Sequence, residues 1–187
     1  MTDSNIAHVP ARLAPFLAQW DYIYGVLLER LAGLTDEEFV WEPAPTVLTV
    51  RPTPDGPRTD AEGLPPTGEG APPRTIAWLA GHLGSGMKLR ADYLVGSHSL
   101  EAADLTWPLS AADGIAFMKD GLTAWRDGLG QMSNEDLDTV GRSAFPHGLD
   151  PELPLIEIVW WVNKDFVFHA GEIWLLRDLY AGLHLRA

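Results

Sequence analysis

The sequence predicts an all-α protein, a four-helix bundle with a long proline-rich loop between its first two long helices. Three observations carry this expectation. Four segments repeat apolar residues at steps of three and four. Caps or stops bound these segments. The last of them, Leu155 to Leu185, contains no proline; its roughly 30 residues make a helix about 45 Å long at ~1.5 Å per residue. Four amphipathic helices of this kind bury their stripes most simply against one another.

Pro10 suits the first turn of a helix reaching about Ala32, with Leu13, Leu17, Trp20, Ile23, Tyr24, Leu27 and Leu31 on its apolar side. Pro15 allows the true start to fall a turn later, and Gly33 supplies the stop. In LTDEEFVWEP, Thr35 and Glu38 have capping-box spacing for one short turn. Residues 43–73 differ in kind. Their nine prolines and four glycines exclude a helix or a central strand. VLTV suits a short edge strand and PDG a turn. The stretch reads as a flexible insertion joining two helices, with a substrate lid as the alternative.

Thr75 caps the second long helix, which carries Ile76, Leu79, Leu83, Met87 and Tyr93 and ends near Gly96. Gly81, Gly84 and Gly86 surround His82, each weakening a helix by ~1 kcal/mol relative to alanine. Such a cluster implies close packing there, or space kept for a ligand. Ser110 and Asp113 open a third helix through Ile115, Met118, Leu122, Trp125 and Leu129; Ser133 and Asp136 cap a further short turn. On the closing helix, Ile156, Val159, Trp160, Phe166, Ile173, Leu176 and Tyr180 form the expected buried stripe. Neither side of the 43–73 stretch holds a core of its own, so residues 1–187 are expected to form one domain.

Composition narrows the function. Thirteen basic against twenty-six acidic side chains give a formal charge of −13, with no Lys/Arg run to offset it. Nucleic acid and anionic membrane surfaces are poor partners for such a chain. No stretch approaches the ~18 apolar residues of a membrane span, and MTDSNIAHVPARLAP lacks the features of a signal peptide, so a cytoplasmic location is expected. The chain contains no cysteine. Disulfides, Cys-ligated zinc, iron–sulfur sites and a cysteine nucleophile are thereby excluded.

Asp165 and His169, four apart on the last helix, share one face. With His82 they make two imidazoles and a carboxylate, a set that holds a divalent ion and leaves positions open. Glu172 is the candidate outer partner for an imidazole. The competing reading makes both histidines satisfied core residues and Asp165 a surface acid beside Lys164. Asp21, Asp36 and Glu37 read as solvated or capping groups, and Arg177 and Asp178 as partners of their neighbours. Trp41, Trp78, Trp161 and Trp174 read as core before cleft, and His147 as an exposed loop histidine before one overhanging the site. No Ser-His-Asp order and no glycine-rich phosphate loop is present.

The phrases LTDEEFVWEPAP, RTIAWLAGHL and WVNKDFVFHAGEIWLLRDLY, in this order, resemble the DinB-like superfamily, which includes the DUF664 group and mycothiol-dependent maleylpyruvate isomerase. The resemblance implies a four-helix bundle with a divalent metal in a cleft near one end. Its ligands there are a histidine of the second helix and a pair four apart on the fourth, here His82, Asp165 and His169. The middle ligand is frequently histidine in such proteins; Asp165 keeps a ligand-capable group but leaves Zn²⁺, Ni²⁺ and Fe²⁺ all compatible. The resemblance also implies group transfer or isomerisation with a low-molecular-weight thiol such as mycothiol or bacillithiol, acting on an electrophilic substrate. A metal that lowers the thiol's pKa would supply the nucleophile the chain lacks. Members often pair, so a homodimer is the matching assembly. Two other functions remain open: a non-catalytic stress-response or interaction protein, and a metal-dependent hydrolase of a small substrate.

Overall fold

In the computed structural model, which describes residues 9–60, 72–148 and 150–184, four long helices carry the chain: α1 (Ala14–Leu31), α3 (Ile76–Val95), α4 (Ala111–Leu129) and α6 (Leu155–His184). Two short ones, α2 (Asp36–Phe39) and α5 (Asn134–Asp138), close the ends. The fold is all-α, a bundle with a minor β-hairpin. The caps fall where the sequence puts them: Thr75, Ser110 and Ser133 each accept a hydrogen bond from the backbone N–H three residues on. Pro15 sits in the first turn of α1, so that helix starts after Pro10, and Gly33 follows its end in the left-handed region at φ 74°. At α2 Thr35 accepts the Glu38 N–H, but the Glu38 carboxylate does not turn back; it pairs with Arg177 of α6 at 2.9 Å.

Contacts between helices fix their directions. Asn163 reaches Phe16 and Gln19, Trp20 lies 4.3 Å from Phe166 ring to ring, and Arg30 reaches Trp174 and Asp178, so α1 and α6 run parallel. Arg74 meets Glu172 and His82 faces Asp165, so α3 runs antiparallel to α6. A Cβ on Gly84 would meet Phe117, and one on Gly128 would meet Leu94, so α3 and α4 run parallel. Asp21 pairs with Arg126, closing the ring between α1 and α4. A parallel neighbour cannot be reached by a tight hairpin, because the chain must first return along a helix ~30 Å long at about 1.5 Å per residue. This is why the connection from α3 to α4 is long.

The core lies inside this ring, with Trp125, Phe39, Phe166, Leu79, Leu83, Met118 and Leu122 among its fully buried side chains. One expectation for α6 needs correction. Trp160 is 56% exposed, and the inward stripe runs instead through Leu155, Ile158, Val159, Val162, Phe166, Ala170 and Ile173. The first half of α6 is apolar nearly all round, so periodicity alone does not choose the face; packing of Phe166 on Trp20 of α1 does.

The proline-rich stretch is partly ordered. Its strands β1 (Val50–Thr53) and β2 (Gly56–Thr59) pair antiparallel around Pro54 and Asp55, with Pro52 opposite Pro57. Each strand has a free edge, which is what lets proline stand in it. Backbone hydrogen bonds from Leu48 N to Pro73 O and from Thr75 N to Leu48 O tie the stretch to the start of α3. Residues 61–71 of the expected insertion, the first eight residues, and Leu185 lie outside the described residues.

The glycines of α3 divide into two kinds. A Cβ on Gly121 of α4 would stand 2.4 Å from the Gly84 carbonyl oxygen, and one on Gly81 would enter the Trp107 ring. Nothing lies within 4 Å of a Cβ built on Gly86. Gly121→Leu therefore forces α3 and α4 apart and is expected to cost about 3 kcal/mol, whereas Gly86→Ala is expected to gain up to about 1 kcal/mol from helix propensity. Thermal unfolding of both variants checks this pair of opposite shifts.

Candidate metal centre

Three side chains converge where α3 crosses α6. His82 comes from the middle of α3, and Asp165 and His169 from successive turns of α6. Their candidate ligand atoms all lie within 4.8 Å of one another. His82 Nε2 stands 3.7 Å from Asp165 Oδ2, and His169 Nε2 stands 3.6 Å from Asp165 Oδ1. These separations exceed an ordinary hydrogen bond. They are close to the roughly 3.3–3.6 Å that separates ligands held tetrahedrally about 2.0–2.2 Å from one ion. The donor set therefore has the chemistry and approximate spacing of a divalent-ion site, with a spread of up to 4.8 Å that would close on binding.

The surroundings favour that use. His169 is 7% exposed, and its Nδ1 lies 2.9 Å from Glu172 Oε2. With the ring proton on Nδ1 and donated to the carboxylate, the Nε2 lone pair is left facing Asp165. Glu172 is itself held by Arg74, whose Nη1 donates to Oε1 at 2.8 Å. Burial pushes the Glu172 carboxyl up, but the His169 contact and Arg74 outweigh it, and its pKa lies below the usual range. Asp165 behaves alike: burial raises its pKa, while His82, His169 and Lys164 together bring it below the ordinary value. Both acids are thus ionised at neutral pH, as a ligand and its outer partner must be. On the other side, the Trp78 ring stacks on His82 at 4.8 Å with only 12° between planes, fixing the imidazole against α3. Arg74 in turn lies 5.4 Å from the Trp78 ring.

His82 and Asp165 border a cavity of about 590 Å³, which is within the range of small-molecule sites, with His169 buried beside them. Gly86, Met87, Trp107 and Trp161 form part of its wall, and Pro57 and Thr59 bring the β-hairpin to it. The proline-rich stretch is therefore part of the cavity wall. Ser85 lines the cavity too, but its hydroxyl donates back to Gly81 O at 2.8 Å. His147 stands at the rim, exposed, 5.4 Å from the Phe145 ring.

Of the remaining expectations, one needs correction: Trp161, read as core, is 38% exposed and lines the cavity. Asp21 pairs with Arg126, Asp36 accepts the Ala111 N–H, and Arg177 and Asp178 bind α1 and α2 groups, all away from the cavity. Trp41 packs on Tyr180, and Trp174 is partly buried against the core. Sequence reasoning did not single out Arg74, Arg90, Trp107 or Phe145. They come from helix ends and connections, and no periodicity marks them.

Residues 19–173 match the DinB superfamily. The chain belongs to that superfamily. The match spans all four long helices of this DinB protein and includes His82, Asp165 and His169. No curated protein and no solved structure matches the chain.

If Glu172 orients His169, then Glu172→Gln, which keeps the shape and removes the charge, is expected to weaken metal affinity 10- to 100-fold. Competition titration against a chromophoric chelator measures this. Unchanged affinity would assign Glu172 to the Arg74 ion pair alone.

Proposed function

We propose that this DinB protein binds a divalent metal ion through His82, Asp165 and His169 and uses a small-molecule thiol in group transfer or isomerisation, as the mycothiol-dependent branch of the superfamily does. The observation that carries the reading is the three-residue set, two of whose members, His82 and Asp165, line a cavity large enough for a small molecule. A divalent ion held there would lower the pKa of a thiol toward neutrality. The chain's own residues do the rest: Glu172 and Trp78 hold the two imidazoles, while Trp107 and Trp161 shield one side of the site from water. A chain without cysteine must receive its thiol from outside, and the cavity offers the room. Mycothiol and bacillithiol are the thiols to try, and Zn²⁺, Ni²⁺ and Fe²⁺ the metals.

Elemental analysis of protein purified without chelator is expected to find about one equivalent of metal, lost in a His82→Ala, His169→Ala double variant. Equal and negligible metal in both proteins would end the metal reading. A screen of electrophiles with mycothiol, bacillithiol, glutathione or no thiol then tests the reaction. Turnover that needs both thiol and metal supports transfer, and metal-dependent turnover without thiol favours a hydrolase instead.

A homodimer is supported by a second apolar line on α6. Trp160, Phe168, Leu175 and Leu179 are 56%, 62%, 59% and 42% exposed and fall on one side of the helix. Isolated exposed apolar groups need no partner, but a continuous row does. Light scattering at micromolar concentration is expected to give twice the chain mass; a strictly monomeric mass rules the pairing out.

A further inference from the structure

The cavity has a second polar pole, about two helical turns along α3 from His82. Arg90 lies eight residues further on, roughly 12 Å along the axis at ~1.5 Å per residue. Its side chain is 11% exposed and forms part of the cavity wall. Nη1 donates to Asp150, which is 2% exposed and also accepts from Ser143 Oγ at 3.0 Å. Nε and Nη2 make no hydrogen bond to any described residue. The guanidinium lies against two rings: its carbon is 4.6 Å from the Phe145 ring centre and 5.6 Å from that of Trp161. The loop supplying Phe145 carries Ala144 at φ 51°, a conformation an alanine adopts at a cost of about 1 kcal/mol or more.

A purely structural ion pair would turn the whole guanidinium toward Asp150. Here Asp150 and Ser143 hold one corner, the two rings lie against the group, and the rest of it borders open space. We propose that Arg90 is the anchor for a carboxylate: the ligand of this cavity is a small organic acid with an apolar body. One planar guanidinium edge matches a carboxylate in bidentate fashion. A phosphate dianion would want further cations, and among the described residues lining the cavity the others able to carry positive charge are His82, at the metal pole, and His147, out at the rim. Met87, Leu89, Leu105 and Trp107 supply the apolar wall between the two poles. The local charge agrees. Arg90 and Asp150 cancel, and a divalent ion beside Asp165 leaves the cavity net positive inside a chain of formal charge −13.

This inference deepens the proposed function by naming a ligand class for the same cavity, and it is tested separately from the metal. The probes are 4-fluorophenylacetate and its neutral isostere 4-fluorophenylacetamide, titrated by ¹⁹F NMR into metal-loaded and metal-stripped protein. Wild type is expected to bind the acid at least tenfold more tightly than the amide, with or without metal. Because Arg90→Gln alone strands a buried carboxylate, the companion variant is Arg90→Gln with Asp150→Asn, which removes both charges and keeps a hydrogen-bonding pair. The double variant is expected to lose the preference for the acid while keeping wild-type metal content and helical circular dichroism. Equal binding of acid and amide to wild type, or no binding of the acid at millimolar concentration, overturns the proposal. So does a preference that survives in the double variant. A preference that appears only with metal and ignores the double variant assigns the carboxylate to the ion, overturning the role of Arg90 while leaving the metal reading intact. A preference that persists in protein unable to take up metal upholds Arg90 and removes the metal.

Discussion

The antiparallel crossing of α3 and α6 is the contact on which the rest of the molecule depends. It sets His82 opposite Asp165 and His169, and within the same few turns it sets Arg74 against Glu172. Polar groups this deep are costly unless each has a partner. Here one chain of contacts runs from Arg74 through Glu172 to His169 and ends at the carboxylate of Asp165. Losing Glu172 would leave His169 Nδ1, which burial has already deprived of water, without its carboxylate partner. The other sides of the ring pack apolar and glycine surfaces inward and keep ion pairs such as Asp21–Arg126 toward solvent: Phe166 packs on Trp20, and α3 approaches α4 glycine against glycine. Apolar packing on those sides carries the stability, which leaves the α3–α6 seam available for chemistry.

The connecting segments follow the same division. The long connections are built into the cavity. The β-hairpin supplies Pro57 and Thr59, and the segment after α5 supplies Phe145 and His147. The second of these is pinned at several points: Arg142 joins Asp136 of α5 to the Leu94 carbonyl of α3, and Asp150 receives Arg90. The Asp136 carboxyl, beside Arg142 and capped by Ser133, is held down to about 2, so this anchor stays charged at any pH the protein meets in use.

Much of this is legible in the sequence. Caps at Thr75, Ser110 and Ser133 act through local geometry, three residues from cap to N–H, so they can be read without the fold. The Asp165 and His169 pair is legible for the same reason, since four residues always share a helix face. His82 needed the resemblance, because only the packing of α3 on α6 brings it within reach. What stayed hidden depends on direction. Trp160 and Phe166 are equally apolar, and nothing local says that Trp160 faces out and Phe166 in. Nothing local marks Arg74 and Arg90, since their partners Glu172 and Asp150 lie 98 and 60 residues away. The hairpin was half visible: VLTV and PDG mark its region, but the strand settles on Val50–Thr53, where pairing with Gly56–Thr59 is set by the turn.

The central claim is that His82, Asp165 and His169 hold one divalent ion at this crossing. Crystals grown with Zn²⁺ or Ni²⁺ and measured on both sides of the metal's absorption edge locate it directly. The account predicts a single strong anomalous peak about 2.0–2.2 Å from His82 Nε2, His169 Nε2 and an Asp165 oxygen. A fully occupied peak bound elsewhere, with His82 and His169 still hydrogen-bonded and no peak between them, would contradict it.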